Sequence, residues 1–134
     1  MEHHFTIGKA SEQIKRWDRK VQTWVFDPPY NVGFKYDYGS DSLTEIKYRK
    51  LIHETAKAMI ERTHEGGSCF LIHYTIPAAR LIPTMESAGW RLHQWITWVY
   101  PHNMGMSKKK FTQGSRAVLW FVKGEQNMAH YDIK

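Results

Sequence analysis

Cysteine is almost missing from this chain: Cys69 stands alone among 134 residues. An internal disulfide is therefore impossible, which agrees with a reducing compartment, and a cytoplasmic protein is expected. Cys69 lies in the apolar run Ser68-Cys69-Phe70-Leu71-Ile72 and reads as a small core residue. No stretch approaches the roughly 20 apolar residues of a membrane span. The N-terminus has no apolar segment of the signal-peptide kind. Metal-ligand spacing is also lacking, since His53 and His64 have no partner at such spacing and His3-His4 is too short to count. Disulfide-stapled, membrane-spanning and metal-site proteins are set aside on these grounds.

What is present describes an ordinary globular composition with a basic bias. The length suits one domain, residues 1–134, with room for a real core. A formal net charge of +6 favours an anionic partner, and nucleic acid is the first candidate. Charge of this size also simply keeps proteins soluble. Aromatic content is high, with six Trp and seven Tyr; most are expected in core or interface, and some are candidates to face bases.

One stretch organises the rest: Trp24-Val25-Phe26-Asp27-Pro28-Pro29-Tyr30-Asn31. Strand formers run into an acid, two prolines and an aromatic ring. Proline cannot donate to a strand ladder, so a strand over residues 23–27 must stop at Asp27. In open α/β sheets, ligands sit at the carboxyl ends of strands. The Asp27 carboxylate and the Pro28 carbonyl are two acceptors, which suits the two hydrogens of an exocyclic amine on a base. Tyr30 can stack on the ring that bears the amine, worth roughly 1–3 kcal/mol per base. The plainer reading is a strand-ending turn.

Asp27-Pro28-Pro29-Tyr30 resembles the catalytic signature of the S-adenosylmethionine-dependent amino-methyltransferases of DNA, in the permuted class that carries this motif first. Asn31-Val32-Gly33 continues the match, and Trp98 and the run Ala117-Val118-Leu119-Trp120-Phe121-Val122-Lys123-Gly124 look like late strands of that class. The resemblance spans roughly residues 20–124. It implies a flipped target base, S-adenosylmethionine as methyl donor, and Asp27, Pro28, Pro29 and Tyr30 as catalytic residues. Adenine-N6 is the expected target, because the cytosine enzymes more often carry Ser at the position of Asp27. Cys69 lacks a Pro-Cys context, so covalent ring-carbon methylation is not supported.

The remaining elements follow from periodicity. A short helix is expected over residues 11–19. Residues 31–42, rich in Gly and Tyr, suit a lid, or equally a surface loop packed on the domain. Ser42-Leu43-Thr44-Glu45 has capping-box spacing. Ile46, Leu51, Ile52, Ala56, Met59 and Ile60 then recur at helical intervals, with Gly66-Gly67 as the stop. A buried parallel strand over 68–74 brings His73 and Tyr74 to the edge that carries Asp27, as pocket lining or helix-cap packing. A second helix runs from near Pro77 to Ser87, with a kink or restart at Pro83. Strands over 91–100 and 117–123 form an antiparallel edge hairpin. Between them Lys108, Lys109 and Lys110 make the densest positive cluster, which suits a DNA backbone as well as solvent.

The expected fold is α/β: a three-layer partial Rossmann-like methyltransferase sheet, parallel with an antiparallel edge hairpin. The resemblance also calls for a glycine loop that binds the cofactor, yet Gly-x-Gly occurs nowhere. Gly114-Ser115-Arg116 stands where the family commonly has a His-Glu pair. The chain is therefore read as a catalytic half, without the cofactor half and the target-recognition region, in truncated or split form. A second chain or a homo-oligomer would complete it, and unaided binding of S-adenosylmethionine is doubtful. The alternative is a non-catalytic DNA-binding or interaction module of the same descent.

Overall fold

The computed structural model describes residues 3–33, 35–36, 39–40, 42–100 and 113–125. The order is α1 (Ala10–Arg16), β1 (Val21–Phe26), β2 (Lys35–Tyr36), β3 (Gly39–Ser40), α2 (Glu45–Glu61), β4 (Thr63–His73), α3 (Thr75–Ser87), β5 (Arg91–Val99) and β6 (Ser115–Val122). Four strands form one sheet in the order β1-β4-β6-β5, and β2 and β3 pair as a separate antiparallel ribbon. β1 and β4 run parallel, whereas β6 is antiparallel to both β4 and β5. Thus β1, β4 and β5 share one direction, and β6 and β5 form the expected edge hairpin.

Alternation decides which face each strand buries. Trp24 and Phe26 of β1, Cys69, Leu71 and His73 of β4, and Ala117, Leu119 and Phe121 of β6 share one face. Against them pack Tyr48, Ile52, Ala56 and Met59 of α2 and Ala78, Leu81 and Met85 of α3. Trp90 closes the end of the core, its indole N–H donating to the Ala56 carbonyl at 2.9 Å. On the opposite face Phe70 stacks on Trp120, centroids 5.6 Å apart, while Val25 and Trp98 stay exposed. Among the described residues every helix belongs to the first face, directly or through α2, so two of the three expected layers are present.

Several boundaries differ from the expectations, each for a local reason. Thr44, not Ser42, caps α2, and its hydroxyl accepts from the Lys47 N–H at 3.4 Å. Gly66-Gly67 does not end that helix. α2 stops at Glu61, and both glycines lie inside β4. There, two residues along β1 (Val21 to Thr23) span the same distance as five along β4 (Thr63 to Ser68), so the chain bulges. Gly66 takes a positive φ of 74° in this bulge. A Cβ on Gly67 would lie 2.5 Å from the Thr63 methyl and 3.0 Å from the Gln22 carbonyl oxygen. α3 continues through Pro83 without a restart. The Gly- and Tyr-rich segment contains the β2-β3 ribbon, and Asn31 ties its entrance to its exit. The Asn31 amide donates to the Leu43 carbonyl at 2.9 Å and its oxygen accepts the Leu43 N–H at 2.6 Å.

Candidate active site

β1 ends at Phe26, and the next residues leave the sheet where β4 also ends, at His73. The two prolines fix this exit, because neither can extend the ladder. Asp27 is exposed, Pro28 is buried and Tyr30 is half-buried. The carboxylate therefore faces outward from the sheet edge rather than into the core.

Beneath and beside it lies an aromatic floor that the sequence only partly disclosed. The Tyr30 ring sits 4.8 Å from the His73 ring and 5.0 Å from that of Tyr74, centroid to centroid. Burial raises the Tyr30 phenol above its ordinary pKa, helped by a hydrogen bond to Asp27 and the Asp27 charge, against the opposing influence of Arg116. The phenol thus stays protonated and donates to the carboxylate. The Arg116 guanidinium lies 3.9 Å from the Tyr74 ring centroid, 5.2 Å from that of Tyr100 and 5.7 Å from that of Tyr30. It also donates to the Tyr100 hydroxyl. The positive charge that replaces the expected acid is therefore held by aromatic faces.

Behind the turn, α2 supplies Tyr48. Its hydroxyl donates to the Pro29 carbonyl at 2.7 Å and meets His73 Nε2 at 2.9 Å. The Tyr74 N–H donates to His73 Nδ1 at 2.8 Å. His73 is fully buried, and burial lowers its pKa from 6.5 to about 4, with Arg116 reinforcing and Asp27 opposing the shift. At neutral pH the imidazole is uncharged.

Asp27, Pro28, Pro29 and Tyr30 thus lie together with His73 and Tyr74, while Tyr74 also serves as the N-cap residue of α3. Tyr48 is not among the positions that helical periodicity singles out, and only its hydrogen bond to the Pro29 carbonyl brings it to the site. Lys108, Lys109 and Lys110 fall outside the described residues. No group of three or more His, Cys, Asp or Glu among the described residues could hold a metal. Gly105 lies outside the described residues, and two of the described glycine positions do not fit a nucleotide cofactor loop at the Asp27 end. Gly66-Gly67 lies at the start of β4, the end of the sheet opposite Asp27, and Gly89 follows α3.

A strand-end acid with two prolines and a ring, on a mixed sheet, is the arrangement that the resemblance to the DNA amino-methyltransferases leads one to expect. A model of the family described as DNA methylase, of the N6/N4 type, matches residues 21–134, and the chain belongs to that family. It is 28% identical over 131 residues to the Type II methyltransferase M1.MboII of Moraxella bovis, covering 97% of this chain and 48% of that protein. With the Type II methyltransferase M.HpaI of Haemophilus parainfluenzae it shares 23% over 110 residues, 81% of this chain and 35% of that one. Among solved structures, the cytosine-N4-specific PvuII DNA methyltransferase superposes with a TM-score of 0.70 at 19% identity, over 90% of this chain and 49% of the other. The M1.HpyAVI complex with SAM gives 0.64 at 18%, over 90% and 53%. The chain spans about half the length of the curated relatives it matches, or less.

Proposed function

We propose that this chain is the amine-binding half of a DNA methyltransferase that modifies adenine at N6. The observation that carries the reading is the exposed Asp27 carboxylate at the end of β1, beside the buried Pro28 and the Tyr30 ring. In this reading the carboxylate and the Pro28 carbonyl accept the two amine hydrogens, which fixes the nitrogen and aims its lone pair. The Tyr30 ring covers the flipped base. S-adenosylmethionine supplies an electrophilic methyl group when bound. Gly66-Gly67 and Gly89 sit at the end of the sheet away from Asp27, which supports the reading that this chain does not hold the cofactor unaided. The outer edge of β1, unpaired among the described residues, gives a completing half a strand to extend. DNA is the partner, and Lys108, Lys109 and Lys110 meet its backbone.

The test is transfer of labelled methyl from S-adenosylmethionine to duplex DNA, with the chain complemented by the rest of the Moraxella bovis relative. Label should appear on adenine. Asp27→Ala should lower kcat by roughly 10²–10³-fold, the scale of losing one aligned polar contact to the reacting group, without lowering Tm. Label on cytosine would move the assignment to N4, and an undiminished rate in Asp27→Ala would remove the acid from the reaction.

A further inference from the structure

We propose that Tyr48 and His73 form a positioning pair that fixes the Pro29–Tyr30 peptide and the Tyr30 ring. Both residues are buried behind the turn. What they touch is the turn itself. Tyr48 holds the Pro29 carbonyl, and His73 forms the floor under Tyr30.

The direction of each hydrogen bond follows from donor and acceptor chemistry. A backbone N–H only donates, so His73 Nδ1, which meets the Tyr74 N–H, carries no proton. A carbonyl only accepts, so the Tyr48 hydroxyl proton points to Pro29. The Tyr48 oxygen then turns a lone pair to His73 Nε2, which carries the imidazole proton. The neutral Nε2–H tautomer is the one form that satisfies all three contacts. A second proton would have to go on Nδ1, against the Tyr74 N–H. The charged groups nearest the imidazole, Asp27 and Arg116, act in opposite directions on it.

The turn needs such support. Proline rings fix φ at Pro28 and Pro29 but leave ψ of Pro29 free, and that angle sets where Tyr30 goes. A hydrogen bond on the Pro29 carbonyl removes this freedom. The link from sequence to site thus runs through residues 19 and 44 positions after Pro29.

The catalytic meaning of the pair rests on the methyltransferase reading, whereas its geometry can be tested without it. Long-range 1H–15N correlations at pH 7 should show His73 neutral with the proton on Nε2. A proton on Nδ1, or an imidazolium, would overturn the proposal. This measurement uses the unaltered chain, so it stands even where a variant fails to fold. In Tyr48→Phe, the backbone order parameter of Tyr30 should fall from near 0.85 to below about 0.6, while Leu71 and Leu119 stay rigid. An unchanged Tyr30 would defeat it. In the complemented enzyme the same variant should lose about tenfold in kcat, one tenth of the transition-state population per 1.4 kcal/mol, with KM for DNA unchanged. A mobile Tyr30 with full kcat would overturn the pair's part in methyl transfer, whereas no transfer by the unaltered complemented chain would count against the methyltransferase reading instead.

Discussion

A carboxylate can grip a ligand only where a neighbour has not already neutralised it. Asp27 meets that condition at the exposed end of β1, sharing its charge with one phenol rather than with a direct ion pair among the salt bridges of the described residues. His73 shows the opposite treatment, a titratable ring sealed in its neutral form. Its environment is drawn from every neighbouring element: Tyr48 from α2, Asp27 beyond β1, Arg116 from β6, and Tyr74 beside it. The unfolded imidazole takes its proton near 6.5, while the folded one resists until about 4. Between those values the unfolded chain binds more protons, so stability falls as pH falls through that window. Thermal unfolding should therefore show Tm dropping between pH 7 and pH 5. The drop should shrink in His73→Asn, and equal drops in both proteins would assign the acid sensitivity elsewhere. Cys69 is sealed in the same way, burial pushing its thiol far up, which makes it an inert part of the core.

At the scale of elements, α2 was legible because its apolar positions recur at helical spacing over four turns. Its cap was misplaced by two residues because Ser42 and Thr44 both offer a hydroxyl, and only the backbone decides which one meets a free N–H. β4 was legible over its apolar part but not over Thr63 to Gly67. His-Glu-Gly-Gly carries no strand signal, and glycines after a helix ordinarily end it. Here the second glycine is required by crowding between β4 and β1. Gly67→Ala should cost about 1–3 kcal/mol, the usual price of overpacking. The Thr63 methyl is held in place because its hydroxyl donates to the Met59 carbonyl and accepts from the Trp24 indole, and the His64 and Gln22 carbonyls can yield only if the backbone shifts. Urea unfolding should register this as a lower midpoint, and an unchanged midpoint would mean that β1 gives way freely.

For the whole molecule, the informative feature is what its sheet leaves open. One face carries α2 and α3, and the other exposes Val25 and Trp98 across β1 and β5. The net charge of +6 favours an anionic partner, and the chain spans about half the length of the Moraxella bovis relative. Unaided, the chain should bind S-adenosylmethionine with a Kd weaker than about 1 mM, corresponding to little more than 4 kcal/mol. Calorimetry reads this directly. Tight, stoichiometric binding would place the cofactor site within residues 1–134.

The sequence by itself determined where β1 must stop and which acid and ring that stop presents, because proline acts on its own backbone whatever surrounds it. Helical spacing likewise settled that Ile52, Ala56 and Met59 of α2 are buried, but not Ile46, which is exposed in the first turn. Tertiary structure alone decided that Tyr48 reaches the Pro29 carbonyl, that His73 lies beneath Tyr30, and that Arg116 rests on Tyr74. Those partners come from different elements, so their meeting depends on strand register and helix packing, and neither is written in any local run of residues.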